Sequence, residues 1–233
     1  MSVALITGAS RGLGRALARE LADRGWFLIL DARGHEDLEV VVRQLDPART
    51  VGIAGDVTDP SHRAELAAAV ASAGGLDLLV NNASHLGPSP QPVLRDYPLD
   101  ELARVYAVDV LAPLAVTQLM LPSLVASGGV VVNVSSDAAV EAYEGWGGYG
   151  SAKAALDHVT AVLGVEEPKV SAYSFDPGDM RTTMHQQAFP AQDISDRPEP
   201  ESVVPALLRL VDERPPSGRY RAAALTASVA VSR

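Results

Sequence analysis

The chain has 233 residues, of which 47% are hydrophobic and 21% are charged. This length and composition fit one folded domain with a sizeable core, and they exclude a disordered chain. The net charge of −10 argues against nucleic acid or an anionic membrane as a partner, because phosphate surfaces attract basic proteins. No cysteine is present, which excludes disulfides, thiolate catalysis and cysteine-based metal sites.

The first residues lead directly into the apolar segment 3–6, without the basic start and long apolar stretch of a signal peptide. No apolar run approaches the roughly 18 residues that are needed to span a bilayer. We therefore expect a cytoplasmic protein with no membrane partner and no nucleic-acid partner.

Short apolar segments alternate with longer segments of helical periodicity. The predicted strands are 3–6, 26–30, 50–54, 76–80, 130–134 and 170–175, and the predicted helices are 13–24, 35–45, 60–73, 98–126, 149–164 and 200–213. Most of the strands are apolar throughout, as is typical of a parallel sheet that is covered on both faces. The alternation predicts an α/β fold with a Rossmann-type doubly wound parallel sheet, in a single domain over residues 1–233.

Three segments are less regular. We interpret residues 98–126 as two helices, with Pro113 near the start of the second. Residues 179–200 are polar, rich in proline and aspartate and only weakly periodic, which is typical either of a substrate loop or of a poorly ordered surface loop. The tail 217–221 predicts a last edge strand.

A glycine-rich turn follows the first predicted strand and opens the first helix. Residues 7–14 read Thr-Gly-Ala-Ser-Arg-Gly-Leu-Gly. Glycine lets the backbone approach a pyrophosphate closely, and the helix N-terminus offers free N–H groups and the positive end of a dipole. The strand–turn–helix context therefore predicts a dinucleotide site. We expect contacts to the cofactor from Gly8, Ser10, Arg11, Gly12, Leu13 and Gly14.

This turn resembles the cofactor fingerprint of the short-chain dehydrogenases/reductases, and the resemblance continues through most of the chain. Asn81-Asn82-Ala83-Ser84 is similar to the family's Asn-Asn-Ala-Gly turn, and Pro177-Gly178 is similar to the turn that contacts the nicotinamide carboxamide. The resemblance implies a nicotinamide-dependent oxidoreductase. It also implies cofactor contacts from Asp56, Val57, Asn82, Ala83, Tyr149, Lys153, Pro177, Gly178 and Thr182.

Tyr149 and Lys153 fall at the family's catalytic spacing, and physical chemistry supports the pair independently. Positions i and i+4 share one face of a helix, with Cβ atoms about 5–6 Å apart. An ammonium group lowers the pKa of a neighbouring tyrosine, which is about 10 when free, so the phenol becomes a useful general acid or base. Among six tyrosines only Tyr149 has a lysine four residues later, and the only other lysine is Lys169.

Two further catalytic candidates come from the resemblance. Ser136, at the end of a predicted strand, would hold the substrate oxygen while Tyr149 exchanges the proton. Asp109 stands where the family usually has an asparagine that helps to hold a water beside the lysine. Its carboxylate would either raise the pKa of Lys153 and damp its effect on Tyr149, or extend a proton relay. Ser84, in place of the usual glycine, would either crowd the nicotinamide ribose or add a hydrogen bond.

The residues after the second predicted strand bear on the choice of cofactor. An acidic side chain there binds the ribose 2′-hydroxyl of NAD, whereas an arginine favours the 2′-phosphate of NADP. Arg33 falls where NADP-preferring family members often carry arginine, and Arg11 is a second cation nearby. Asp31 either points into the sheet edge, pairs with Arg33 or selects NAD. We favour NADP(H), with NAD(H) as the alternative.

These observations predict an enzyme that interconverts a carbonyl and an alcohol of a small molecule by hydride transfer. The alternatives are a non-redox enzyme on the same scaffold (a dehydratase, epimerase or cyclase), which Asp109 motivates, and an inactive cofactor-sensing protein. The sequence has no HExxH motif and no close group of histidines and carboxylates, so we expect no metal site. The resemblance also implies a homodimer or homotetramer.

Overall fold

The structure is a computed structural model that describes residues 1–230, with side chains as far as Thr226. Seven strands form one parallel sheet in the order β3-β2-β1-β4-β5-β6-β7. The strands are β1 (Val3–Ile6), β2 (Phe27–Ala32), β3 (Thr50–Ala54), β4 (Leu78–Asn81), β5 (Val130–Val134), β6 (Ser171–Asp176) and β7 (Gly218–Arg221). The predicted Rossmann-type doubly wound sheet is thereby confirmed. Residues 231–233 of the predicted single domain lie outside the described residues.

Helices connect the strands and cover both faces of the sheet. They are α1 (Gly12–Asp23), α2 (His35–Arg43), α3 (Pro60–Ser72), α4 (Leu99–Tyr106), α5 (Ala112–Ser127), α6 (Gly147–Glu166), α7 (Thr183–Ala188), α8 (Val204–Glu213) and α9 (Ala222–Ala230). Alternate residues of a strand face opposite sides, and both sides are buried here. Ala4 and Ile6 pack with α1 and α8, whereas Val3 and Leu5 pack with α3 and α5. This two-sided burial explains why the strands read as continuous apolar runs.

Local sequence signals fix several helix ends. The Asp59 carboxylate accepts a hydrogen bond of 2.8 Å from the Ser61 amide at the start of α3, and Pro60 occupies the first turn. Gly128 ends α5 in the left-handed region, with φ of 62°. Both features agree with the boundaries predicted from the sequence to within a few residues.

The two helices predicted over 98–126 correspond to α4 and α5, but no loop separates them. A π-helical turn over Ala107–Leu111 joins α4 to α5, so one helix runs from Leu99 to Ser127. Pro113 lies in the first turn of α5, as expected, but it does not break the helix. It has no N–H to donate to the carbonyl of Asp109 four residues earlier, and a wider turn at this point accommodates that loss.

This 29-residue helix is long and apolar enough to cross a membrane, contrary to the expectation that no such segment exists. Length and composition alone are weak evidence, because core helices of globular domains meet the same criteria. Val116, Met120 and Leu124 are buried in the same cluster as Leu5 and Val131 of the sheet. The inner face of the helix therefore packs as part of the core.

The sequence did not predict the helix α9, and the strand ends beside the predicted site differ by one or two residues. β2 extends to Ala32, which is in register with Ala54, and β6 extends to Asp176, which is in register with Arg221. The tail strand predicted over 217–221 is confirmed as β7. Residues 179–200 are not wholly irregular, because Thr182 caps the short helix α7 by accepting a hydrogen bond from the His185 amide.

Candidate active site

A cavity of about 890 Å³ opens at the carboxyl ends of the strands, beside β1 and β4, where the strand order reverses. Ligands of doubly wound sheets bind at this switch point. Most of the predicted site residues line the cavity. They are Gly8, Ser10, Arg11, Gly12, Leu13, Asp31, Arg33, Asp56, Val57, Asn82, Ala83, Ser136, Tyr149, Lys153, Pro177, Gly178 and Thr182. Gly14 and Asp109 are the two exceptions, since both lie behind the cavity wall.

The glycine-rich turn forms one end of the cavity and packs tightly on the turn after β4. Gly8 has φ of 65°, and a Cβ atom at Gly14 would lie 2.6 Å from both Asn82 Nδ2 and the Gly8 carbonyl oxygen. Asn82 Nδ2 donates to the carbonyl oxygens of Thr7 and Gly8 at 2.9 and 3.0 Å. Gly14 and Asn82 therefore hold the turn in shape, and Asn82 also lines the cavity.

The first turn of α1 fits a pyrophosphate. Arg11 precedes the helix in an extended conformation and its side chain does not cap the helix, so the backbone N–H groups of the first turn are left for a ligand. Gly12 has φ of 55°, in the left-handed region, and a Cβ atom added there would lie 3.5 Å from Thr182 Cγ2. The donors and the close backbone approach match what a dinucleotide requires.

Two arginines and the carboxyl groups of Asp31, Asp37 and Asp56 line the far end of the cavity. Arg11 and Arg33 are exposed, and neither has a hydrogen-bond partner among the described side chains. The Asp31 carboxylate turns away from both, because its Oδ1 lies 2.6 Å from His62 Nε2 on α3. Asp31 is 1% exposed, and it also accepts a hydrogen bond from the Gly8 amide. It therefore neither pairs with Arg33 nor projects freely towards a ribose.

The catalytic candidates meet at the opposite end, on α6 and after β5. Tyr149 and Lys153 both lie on the buried face of α6, and Lys153 Nζ is 5.4 Å from the centre of the Tyr149 ring. Lys153 Nζ donates a hydrogen bond of 2.9 Å to the Val134 carbonyl and lies 3.5 Å from Asp109 Oδ2. Contacts with β5 and with the π-helical turn thus hold the lysine, and its ammonium group lies beside the Tyr149 ring.

Burial and charge act in opposite directions on these two groups. Burial raises the pKa of the Tyr149 phenol, and the Lys153 ammonium lowers it without fully offsetting the burial. Burial lowers the pKa of Lys153 and is the largest single effect, but Asp109, Tyr149 and Asp157 together raise that pKa by more, so the ammonium group stays charged. The phenol is therefore protonated at neutral pH and able to donate its proton.

Ser136 and Asp109 have different surroundings from those expected. The Ser136 hydroxyl donates to Asp137 Oδ1 at 2.9 Å, so a substrate oxygen has to compete for that proton with Asp137. Asp109 is fully buried in the π-helical turn and does not line the cavity. It reaches the site through Ser84, whose hydroxyl donates to Asp109 Oδ2 at 2.8 Å.

The remaining predicted residues form the cavity rim. The Asp56 carboxylate accepts hydrogen bonds from the amide and hydroxyl of Thr58, and Val57 is buried beside it. Gly178 has φ of 73°, and its amide donates to Asp176 Oδ1 at 3.0 Å. The turn after β6 is thereby folded over the cavity, with Thr182 at the start of α7.

Comparison with known proteins agrees with this geometry. The model of the short chain dehydrogenase family matches residues 2–193. The chain belongs to the short-chain dehydrogenase family. It is 36% identical to sepiapterin reductase from Rattus norvegicus over 202 residues, which cover 80% of this chain and 77% of the reductase.

Two solved structures of short-chain dehydrogenases show the same fold over nearly the whole chain. One, from Pseudomonas syringae, has a TM-score of 0.88 and 32% identity, covering 94% of this chain and 93% of that one. The other, from Escherichia coli CFT073 in complex with NADPH, has a TM-score of 0.88 and 28% identity, covering 95% and 96% of the two chains. The short-chain dehydrogenase described here is accordingly an oxidoreductase.

Sequence reasoning missed one charged network of this dehydrogenase. Arg219 on β7 donates to Asp176 Oδ2, to Asp157 Oδ2 on α6 and to the carbonyl oxygen of Ser136, each at 2.9 Å. It thereby ties β6, α6 and the catalytic serine together. One sequence signal pointed to this network. Asp176 directly precedes Pro177, and it ends a strand whose other residues are apolar or small.

The Asp31–His62 contact predicts a specific dependence of stability on pH. Burial raises the pKa of Asp31 from 3.8 to about 6, against the lowering effect of the hydrogen bond with His62. Between these values the folded state binds more protons than the unfolded state, so this contribution to stability is lost as pH rises towards about 6. The free energy of unfolding is compared between the parent and Asp31→Asn. We expect the difference, parent minus variant, to fall over this pH range and then level off.

Urea unfolding of both proteins from pH about 5 to about 8 measures this difference. A difference that does not fall between pH about 5 and about 6 would contradict a raised pKa of Asp31 in the folded state.

Proposed function

We propose that this chain is an NADP(H)-dependent oxidoreductase that interconverts a carbonyl group and an alcohol on a small molecule. The observation that carries the proposal is the placement of Tyr149, Lys153 and Ser136 at one end of a cavity whose other end has the glycine-rich turn and Arg33. One extended ligand with a phosphate-bearing end and a reactive end spans such a cavity. When bound, the nicotinamide supplies or accepts the hydride.

The residues at the reactive end then have separate tasks. Tyr149 exchanges a proton with the substrate oxygen, and its raised pKa keeps it protonated for the reductive direction. Ser136 turns its hydroxyl from Asp137 towards that oxygen and orients it. Lys153 remains charged beside Asp109 and favours the phenolate that forms when the proton leaves.

The preference for NADP(H) rests on Arg33, Arg11 and the orientation of Asp31. Arginine binds a phosphate through its planar fork, and both arginines line the cavity without a hydrogen-bond partner among the described side chains, although the charge of Arg33 also acts on Asp56. Asp31, the acid that would repel a 2′-phosphate, faces His62 instead. The NADPH complex of the similar Escherichia coli dehydrogenase supports the same choice.

The non-redox alternative loses its motivating observation. It rested on Asp109 as an acid or base for a substrate, but Asp109 is fully buried behind Ser84 and does not line the cavity. Homo-oligomerisation remains part of the proposal, since Leu99, Leu111 and Leu119 on the long helix and Val165 on α6 are exposed. These side chains form apolar surface of the kind that subunit interfaces cover.

Calorimetric titration with NADPH and with NADH, followed by NADPH oxidation with a panel of carbonyl compounds, tests the proposal. We expect NADPH to bind at least tenfold more tightly, about 1.4 kcal/mol. Arg33→Ala should remove most of this preference and leave NADH affinity unchanged, because a charge-assisted hydrogen bond contributes about 1.5–3 kcal/mol. Arg43→Ala is the matched control, since Arg43 lies on α2, pairs with Glu39 and does not line the cavity.

Tighter binding of NADH would overturn the cofactor preference and make Asp31 the selector. Binding of neither cofactor, or NADPH binding without oxidation by any carbonyl compound, would contradict the proposed reaction.

A further inference from the structure

Ser84 and Asp109, the two positions where the chain departs from the family pattern, are in direct contact. The Ser84 hydroxyl donates to Asp109 Oδ2 at 2.8 Å, and the His85 amide donates to Asp109 Oδ1 at 2.7 Å. Asp109 is fully buried, so neither carboxylate oxygen is hydrated by bulk solvent. A buried carboxylate requires hydrogen bonds and a counter-charge, and Ser84 supplies one of those hydrogen bonds.

The same two residues also touch the catalytic pair. Asp109 Oδ2, which accepts the Ser84 proton, lies 3.5 Å from Lys153 Nζ. Ser84 and Tyr149 line the same cavity, and Ser84 lowers the pKa of the Tyr149 phenol by hydrogen bonding. Ser84 and Asp109 thus connect the phenol to the ammonium group by a second route, besides the direct approach of Lys153 to Tyr149.

We propose that Ser84 and Asp109 form one positioning unit for the reaction described above, in which Asp109 fixes Lys153 and Ser84 holds a single shared proton between the Asp109 carboxylate and the Tyr149 phenol. The catalytic consequence rests on the proposed function, whereas the contacts themselves do not. The unit joins both departures from the family pattern in one hydrogen bond.

The direction of the shared hydrogen bond follows from the chemistry of a hydroxyl group, which has one proton to donate. When Tyr149 is protonated, Ser84 donates to Asp109 and can accept from the phenol. When Tyr149 is ionised, the Ser84 proton can turn to the phenolate. Ser84 therefore favours ionisation of Tyr149, while the negative charge of Asp109 opposes it. The two members of one unit act on the phenol in opposite directions.

Other charged and titratable groups face this unit and remain unchanged in the variants below. Tyr149 also faces Lys153 and Asp137, Lys153 also faces Asp157, and Asp109 also faces Tyr97. Among these charged groups, Lys153 has the largest effect on the pKa of the Tyr149 phenol, and Asp109 has the largest effect on the pKa of Lys153. Removing the charge of Asp109 without changing its shape is therefore the most direct perturbation.

The test is a pH titration of protein labelled at tyrosine Cζ with ¹³C, saturated with NADP⁺ and observed by NMR. The chain has six tyrosines, and Tyr149→Phe identifies the Tyr149 signal. We expect Asp109→Asn to lower the apparent pKa of Tyr149 by about one pH unit and Ser84→Ala to raise it. Asparagine keeps the shape of Asp109 and an acceptor for the His85 amide, which protects the fold.

Two further variants distinguish a coupled unit from two separate effects. The double variant Ser84→Ala/Asp109→Asn is compared with Asp109→Asn alone. In this background, loss of Ser84 should shift the apparent pKa of Tyr149 by more than it does in the parent, because no carboxylate then competes for the serine proton. Independent sites would give additive shifts. Ser135→Ala removes the same hydroxyl from a buried serine in the cavity wall that has no hydrogen-bond partner in the described chain, and it should not move the titration.

Three results would overturn the proposal. Asp109→Asn could fail to lower the apparent pKa of Tyr149, the two single variants could shift this pKa in the same direction, or the shifts could be strictly additive. The NMR measurement needs no substrate. Its outcome is therefore separate from failure of the proposed function, which would appear as absence of NADPH oxidation with every carbonyl compound.

Discussion

Replacing Tyr149 with phenylalanine is expected to lower kcat/KM for carbonyl reduction by about 10²–10⁴-fold, the usual contribution of a general acid or base. The substitution removes one hydroxyl group and little else. The Tyr149 ring is buried, and it packs edge-on against Trp146 with ring centres 5.9 Å apart. Phenylalanine can keep this contact and the contact with Leu86 in the same small cluster. Stability and NADPH affinity should therefore change much less than the rate.

Tyr143→Phe is the matched control for this variant. Tyr143 lies six residues earlier, in the loop before α6. Its hydroxyl lies 2.8 Å from Glu141 Oε2 and 3.1 Å from Asp137 Oδ2, and the side chain is exposed and does not line the cavity. Its removal should leave kcat/KM within a few-fold of the parent. If Tyr149→Phe retained a comparable rate, another group would have to deliver the proton, and the assignment of Tyr149 would fail. The measurement is the initial rate of NADPH oxidation at matched substrate concentrations.

The features that the sequence predicted well are those built from neighbouring residues. The glycine-rich turn lies between one strand and one helix, so its spacing and its context are both visible in eight consecutive residues. Tyr149 and Lys153 share a helix face because they are one turn apart. The parallel sheet follows from the alternation of apolar strands and amphipathic helices, and the structure changed only the strand ends by one or two residues.

The features that it did not predict are contacts between distant parts of the chain. His62 and Asp31 belong to α3 and β2, and nothing in either segment indicates that the two side chains meet. The contact between Ser84 and Asp109 likewise depends on how the long helix approaches the turn after β4. Both pairs involve buried polar groups, whose partners are decided by the fold and not by local periodicity.

The continuity of the long helix has a physical reason as well. Pro113 predicts the start of a second helix, because proline removes one helical hydrogen bond and starts helices well. The π-helical turn over Ala107–Leu111 absorbs this defect and keeps the helix continuous. It also places Asp109 beside Lys153. Such turns often occur at functional sites, and here the irregularity and the ion pair coincide.

Replacing Lys153 with methionine is expected to cost about 3–5 kcal/mol of stability, the usual effect of removing one partner of a buried ion pair. The side chains of Lys153 and Asp109 are only 3% and 0% exposed. Methionine fills part of the space but leaves the Asp109 carboxylate buried without its counter-charge. The hydrogen bonds from Ser84 and the His85 amide remain, and they compensate the charge only in part. Urea unfolding monitored by circular dichroism measures the loss.

A second substitution separates this cause from simple loss of packing. Asp109→Asn in the Lys153→Met background removes the uncompensated charge and should recover much of the lost stability, whereas it should destabilise the parent by leaving Lys153 unpaired. Lys169→Met is the control, because Lys169 is the only other lysine and is exposed, and its effect should lie within about 0.5 kcal/mol. If Asp109→Asn gave no recovery, the carboxylate would not be the source of the cost. The buried pair would then matter for the charge state of the catalytic lysine but not for the stability of the fold.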